Sequence, residues 1–186
     1  MRYVGIDPST KTGFVALDAE GNVLKAKELK GIGDKDPKRI TTLVKEIVDH
    51  IKPGEKIAIE GFSYGSKGRG IGFQFGLGYA IRIALYSRNL SFVEVTPGQL
   101  KKYACGKGNA PKEDLEQPIF ENWGFSHSSD NVLDAFVLAK IIEALNNYDS
   151  MRFTLKDYQR EVIETILNPE TKGKTKPKAK KKAVQK

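Results

Sequence analysis

The sequence predicts a single α/β domain built on a mixed five-stranded sheet with helices on its flanks. Its length of 186 residues suits one domain with a substantial core. The chain opens with three strand-like runs separated by short turns, which is the pattern of an antiparallel meander. Helix-like and strand-like segments then alternate, as they do where parallel strands are connected by helices.

The predicted meander fills the first 29 residues. Its strands are residues 2–7, 12–18 and 23–29, in which apolar side chains alternate or run continuously. The turns between them are residues 8–11 and 19–22, which contain the proline, serine, glycine and asparagine typical of tight turns.

Helical spacing begins after the meander. Residues 39–51 place Ile40, Leu43 and Ile47 on one face of a helix, and Pro53-Gly54 ends it. Residues 56–60 then form a fourth, buried strand. The remaining predicted elements are a glycine-rich loop at 61–72, a helix at 73–87, a fifth strand at 91–95, and helices at 98–103, 112–123, 129–145 and 154–167.

The charge of the chain is concentrated at its C-terminus. Residues 169–186 contain eight lysines and one acid, Glu170, so this segment carries +7 of the net charge of +8. Because it has almost no apolar residues, we expect a disordered lysine-rich tail after a folded domain at residues 1–168. Such a tail either contacts a polyanion such as nucleic acid or serves as a solubilising segment.

Composition also restricts the location of the protein. No apolar stretch is long enough to cross a membrane, and the first residues lack the pattern of a signal peptide. The single cysteine, Cys105, excludes an intrachain disulfide and makes a cysteine-rich zinc site improbable. We therefore expect a cytoplasmic protein without membrane contact.

Acidic residues stand at unusual positions in three predicted elements. Asp7 and Glu60 end apolar strands, and Asp134 lies within the apolar stretch 132–139 of a predicted helix, one turn after Asp130. A buried carboxylate is costly unless a partner or a metal compensates it. Clustered carboxylate oxygens favour Mg²⁺ or Mn²⁺ and are typical of phosphoryl chemistry. For Asp130 there is also a simple explanation, because acids are favourable in the first turn of a helix.

Four segments in order resemble the RuvC family of Holliday-junction resolvases. They are residues 5–13 (Gly-Ile-Asp-Pro-Ser-Thr-Lys-Thr-Gly), Ile59-Glu60, residues 95–112 with their lysines, and residues 134–139 (Asp-Ala-Phe-Val-Leu-Ala). Together they extend over about residues 1–146. The resemblance implies a ribonuclease H-like fold and a metal-dependent endonuclease that resolves Holliday junctions and other branched DNA.

The resemblance also implies the metal ligands. Asp7, Glu60 and Asp134 would hold two Mg²⁺ (or Mn²⁺) ions per active site. The bacterial pattern places the fourth ligand at the position of Asn131, whereas phage-type members favour an acid, which here is Asp130. Asp130 is the stronger ligand by charge and is our prediction, with Asn131 left open.

Residues for DNA contact follow from the same resemblance. The family carries an aromatic residue in the loop after the second acid, and here Phe62 and Tyr64 flank that position. Phe62 could equally pack beneath the loop. The complete set of predicted DNA-binding residues is Phe62, Tyr64, Lys67, Arg69, Lys101, Lys107 and Lys112.

A four-way junction has two-fold symmetry, so the resemblance implies a homodimer that makes two cuts. The helix near residues 73–88 is our candidate interface, with Leu77 and Ile81 as its test positions. Two other functions compete with this one. A non-catalytic branched-DNA-binding protein would not need the intact set of acids, and an actin-like nucleotide-binding fold would need further phosphate-binding glycine motifs and a longer chain.

Overall fold

The computed structural model of the protein describes residues 1–62 and 70–169. Tyr64, Lys67, Arg69 and the predicted tail beyond Pro169 lie outside the described residues. The strands are β1 (Tyr3–Asp7), β2 (Thr12–Leu17), β3 (Val23–Leu29), β4 (Lys56–Glu60) and β5 (Phe92–Val95). The helices are α1 (Lys38–Asp49), α2 (Ile71–Ser87), α3 (Pro97–Cys105), α4 (Glu116–Trp123), α5 (Asp130–Asn146), α6 (Tyr148–Met151) and α7 (Asp157–Leu167).

The five strands form one mixed sheet in the order β3-β2-β1-β4-β5. The pairs β1–β2 and β2–β3 are antiparallel, whereas β1–β4 and β4–β5 are parallel. The predicted mixed five-stranded sheet is therefore confirmed. In the central parallel pair Ile6 lies opposite Ile59, so the next residues, Asp7 and Glu60, leave the sheet at the same edge.

Helices cover both faces of the sheet. One apolar core contains α1 and α2 side chains, such as Leu43 and Leu77, packed on one face. The other core contains α3, α5 and α7 side chains, such as Leu100, Phe136 and Val162, on the opposite face. No helix among the described residues is long and apolar enough to cross a membrane.

The central helix α5 lies unusually close to the sheet. A Cβ atom on Gly5 of β1 would lie 1.9 Å from the Ala135 carbonyl oxygen, and one on Gly13 of β2 would lie 1.8 Å from that of Asn131. Only glycine allows this approach of backbone to backbone. Because α5 is enclosed by the sheet and other helices, it is apolar around most of its circumference.

The structure corrects two predictions about helices. Residues 112–123 do not form one helix, since a 3-10 turn at Lys112–Asp114 precedes α4, which begins at Glu116. Pro118 in the first turn of α4 has no N–H to donate and its ring obstructs a longer helix. Leu77 and Ile81 are fully buried in the core, so they are not interface residues.

We expect Gly5→Ala to lower the free energy of unfolding by roughly 1–3 kcal/mol, because the new methyl group must displace the α5 backbone. Gly72→Ala is the matched control, since a Cβ there meets nothing within 4 Å. Alanine in the first turn of α2 should be neutral or stabilising by less than about 1 kcal/mol. Urea unfolding of both variants measures the difference. Equal stabilities of the two variants would show that the α5 backbone does not pack directly against β1.

Candidate active site

The ends of β1 and β4 bring two carboxylates together. Asp7 is buried, with 4% of its surface exposed, and Glu60 is half-buried. Their carboxyl groups lie close enough for a hydrogen bond between them to affect the pKa of both residues. This contact follows from the parallel register, because both residues occupy the same step at the carboxyl ends of neighbouring strands.

The third carboxylate comes from α5. Asp134 is also 4% exposed and faces the edge of the sheet where Asp7 and Glu60 emerge. We call Asp7, Glu60 and Asp134 the acid cluster. It lines a cavity of about 300 Å³ together with Pro8, Ser9, Gly61, Phe62, Gln74, Gly78, Arg82, Pro97, Leu100, Lys101, Lys112 and Asn131.

Two lysines oppose the charge of the acid cluster. Lys112 Nζ lies 3.1 Å from Asp134 Oδ2. Lys101 Nζ donates a hydrogen bond to the carbonyl oxygen of Ala110 at 2.6 Å, which ties α3 to the loop that leads to Lys112. Both lysines line the cavity, so a phosphate entering it would meet positive charge beside the acids.

Burial and mutual repulsion disfavour ionisation of the acid cluster. Burial raises the pKa of Asp7 well above its ordinary value, and the charges of Glu60 and Asp134 raise it further. Burial also raises the pKa of Glu60, although its hydrogen bond with Asp7 acts in the opposite direction. For Asp134, burial raises the pKa more than Lys112 lowers it.

The pKa of Lys112 is raised by the same carboxylates. Partial burial would lower the pKa of its ammonium group, but the charges of Asp134, Asp7 and Glu60 outweigh burial and leave the pKa raised. Lys112 therefore stays protonated at neutral pH. Its charge compensates part of the negative charge of the acid cluster, and burial favours the protonated form of Asp7.

The donor chemistry of the acid cluster fits a divalent cation. Among the described residues no three acidic, histidine or cysteine side chains converge tightly enough to hold a metal ion as they stand. The cluster nevertheless presents only hard carboxylate oxygens, which Mg²⁺ and Mn²⁺ prefer. A divalent cation would supply the positive charge that these crowded carboxylates favour, so the residues fit the ion chemically.

The two candidates for the fourth ligand differ in position. Asp130 is the first residue of α5, and its side chain is exposed. Its charge reaches Asp134 and raises the pKa of that residue. Asn131 lines the cavity and donates a hydrogen bond from Nδ2 to the Lys11 carbonyl oxygen at 3.0 Å. Asp130 and Asn131 both remain predictions.

Phe62 packs against α2 in this structure. Its ring centroid lies 4.9 Å from those of Phe75 and Tyr79, and the Arg82 guanidinium carbon lies 4.2 Å above it. The ring is half-buried and also lines the cavity. Lys107, by contrast, is exposed in the loop after α3 and does not line the cavity. DNA contact by either residue stays a prediction.

Arg82 is a charged residue of the cavity that was not predicted from the sequence. Its side chain is only 9% exposed, although arginine is seldom buried without a partner. The signal was present, because Arg82 interrupts the apolar run 80–85 of a helix. Gln74, about two helical turns before Arg82 on α2, lines the same cavity and was also not predicted.

Comparisons with known proteins place the fold. No protein-family model matches the chain, and no curated protein matches it by sequence. Two solved structures are similar along 82% of this chain. They are RuvC of Thermus thermophilus, with 19% identity, 97% of that chain covered and a TM-score of 0.58, and T. thermophilus RuvC in complex with Holliday junction substrate, with 22%, 96% and 0.60. The predicted ribonuclease H-like fold is thereby confirmed.

We expect Asp7→Asn to stabilise the metal-free protein at neutral pH. Because the pKa of Asp7 is raised in the folded state, that state binds more protons than the unfolded chain above the ordinary value of 3.8. Stability therefore falls as the pH rises through this window, and asparagine removes the contribution of Asp7, which leaves a weaker dependence from Glu60 and Asp134. The advantage of the variant should vanish on acidification.

Thermal unfolding in EDTA between about pH 4 and pH 8 measures this difference. Asp34→Asn, at an exposed acid far along the chain from the cluster, is the control and should follow the wild type. A pH dependence shared by wild type and Asp7→Asn would contradict the interpretation.

Proposed function

We propose that this protein is a metal-dependent, structure-selective endonuclease that resolves Holliday junctions and other branched DNA, such as forks and flaps, by phosphodiester hydrolysis. One observation carries the proposal: the acid cluster and two lysines share one cavity on a fold similar to that of RuvC. Recombination or phage DNA processing in the cytoplasm is the corresponding context.

The proposed cofactor is Mg²⁺ or Mn²⁺, with two ions per active site. Asp7, Glu60 and Asp134 would hold them, with Asp130 as the fourth ligand and Asn131 as its alternative. When bound, the ions would activate the attacking water and stabilise the leaving oxygen of the DNA backbone.

The protein residues have separate tasks in this proposal. Asp7 and Glu60 would bind a metal as carboxylates, and both have a raised pKa, so metal binding should strengthen as the pH rises. A metal ion on Asp134 would compete with the Lys112 ammonium group, which would then be available for a DNA phosphate. Lys101 is held at the rim by Ala110 and adds a second phosphate contact.

The DNA surface would extend beyond the cavity. Exposed Lys107 lies in the loop after α3, and Phe62 lies at the start of the segment that carries Tyr64, Lys67 and Arg69. An aromatic side chain in this segment would stack on an unpaired base at the branch point. The lysine-rich tail would add sequence-independent, salt-sensitive affinity.

The proposed homodimer has a candidate surface on α2. Leu77, Ile81 and Leu85 of this helix face the core. A stripe of exposed apolar residues, Tyr79, Ile83 and Tyr86, runs along its outer side, with 54%, 63% and 81% exposure. Two copies that join through this stripe would supply two active sites for symmetric cuts.

We expect the protein to cut a four-way DNA junction in Mg²⁺ and to leave it intact in EDTA. Asp7→Asn should lower the cleavage rate by more than about 100-fold, because loss of a metal ligand costs more than mutation of a residue that only orients one. Junction affinity should stay close to that of the wild type, because the lysines are unchanged. Gel assays with labelled junction, fork and linear duplex measure cleavage and binding together.

Asp34→Asn is again the control and should cut normally. Binding to the junction without cleavage in Mg²⁺ or Mn²⁺ would instead support the non-catalytic junction-binding protein. Equal cleavage of linear duplex and junction would contradict structure selectivity.

We expect Ile83→Glu to convert a dimer into monomers, because it places a charge in the middle of the apolar stripe. Phe153→Glu is the matched control, since Phe153 is an equally apolar residue, 78% exposed, outside α2. Sedimentation velocity measures the mass of each variant. A dimer that persists in Ile83→Glu would exclude this face as the interface.

A further inference from the structure

Arg82 is a buried cation inside an otherwise apolar part of α2. Only 9% of its side chain is exposed. A guanidinium in this position is costly unless its N–H groups are satisfied. The hydrogen bonds of Arg82 must therefore compensate the cost of burying its charge.

The guanidinium joins three structural elements. Its Nε donates to Glu94 Oε1 on β5 at 2.6 Å, and Nη1 donates to the Gly78 carbonyl oxygen of its own helix at 3.0 Å. Nη2 donates to the backbone carbonyl oxygen of Glu60 at 3.0 Å. The planar fork of arginine can reach all three acceptors at once, which the single ammonium group of lysine cannot do.

The contact with Glu60 fixes the last residue of β4. On the following residue, Gly61 N donates to the Val95 carbonyl oxygen at 2.8 Å. The backbone that carries the Glu60 carboxylate is thus held by Arg82 on one side of the peptide and by β5 on the other. This carboxylate belongs to the acid cluster.

The same guanidinium also covers Phe62. Its carbon lies 4.2 Å from the centre of the ring, a distance at which a cation and an aromatic face attract each other. Gly78 makes room for this stack, since a Cβ there would lie 2.5 Å from a ring carbon of Phe62 and 3.3 Å from Arg82 Nη1. Arg82 therefore contacts the residues on both sides of Gly61.

We propose that Arg82 is a positioning residue that holds the Glu60 carboxylate in the acid cluster and the Phe62 ring at the wall of the same cavity. The inference rests on the proposed function, because it is that function which makes Glu60 a metal ligand. One buried side chain would thus position both a proposed metal ligand, Glu60, and a proposed DNA-contacting ring, Phe62.

The test compares Arg82→Lys with Arg39→Lys in the full-length protein. Arg39 is the matched control because its guanidinium also pairs with a carboxylate, Asp36, and lies 4.3 Å from the centre of an α2 ring, Phe73, but does not line the cavity. The first measurement is Mn²⁺ affinity without DNA, by electron paramagnetic resonance titration. The second is the single-turnover cleavage rate at saturating protein, with junction affinity determined in EDTA.

We expect Arg82→Lys to weaken Mn²⁺ affinity and to slow cleavage by about 10–100-fold. This is the usual effect of mutating a residue that orients a metal ligand. Junction affinity in EDTA should change much less, and Arg39→Lys should match the wild type in all three measurements. If Arg82 had a purely structural role, Arg82→Lys would lower the melting temperature, but the folded variant would bind Mn²⁺ as tightly as the wild type. Equal Mn²⁺ affinities and rates for the two variants would overturn the inference.

Glu94→Gln supplies a second variant if Arg82→Lys does not fold. The Glu94 side chain is 48% exposed, so glutamine is tolerated there while the charge that holds Arg82 is lost. We expect a smaller loss in the same two quantities, and wild-type values would overturn the inference. If the wild type itself neither binds Mn²⁺ nor cuts DNA, the proposed function fails as well. If the wild type binds Mn²⁺ and cuts DNA, but Arg82→Lys and Glu94→Gln do both as well as the wild type, the inference alone fails.

Discussion

The close contact between α5 and the sheet is the constraint on which the rest of the structure depends. Gly5 and Gly13 let the helix backbone rest directly on β1 and β2. A longer distance would move Asp134 away from the edge where Asp7 and Glu60 leave the sheet. The packing of two glycines thus sets the geometry of three carboxylates, and the surrounding apolar residues of α5 keep that geometry rigid.

The acid cluster exists at the expense of stability. Three carboxylates that line one cavity repel one another, and the charges of Lys112 and Lys101 offset part of this repulsion. Such strain is common at functional sites, where the environment favours a ligand that arrives later. The same lysines that neutralise the acids are placed to receive a phosphate.

Much of the fold could be predicted because local patterns agree with it. The meander, the buried strand 56–60 and the apolar helix around Asp134 all follow from periodicity and turn residues. The break before α4 depended on one proline, and the true orientation of Leu77 and Ile81 depended on which side of α2 the sheet lies. Arg82 could not be placed because its three acceptors come from backbone and side-chain atoms that only tertiary structure brings together.

The parallel pairing of β1 with β4 has a consequence for folding. Asp7, Glu60 and Asp134 are far apart along the chain, and they meet only after β4 has inserted beside β1 and α5 has docked. Contacts of such long sequence separation form late, after their loop-closure entropy has been overcome. An incompletely folded or nascent chain therefore has no assembled acid cluster. The assembly of the acid cluster and the formation of the native sheet topology are therefore one event, and no part of the cluster's environment exists without the other.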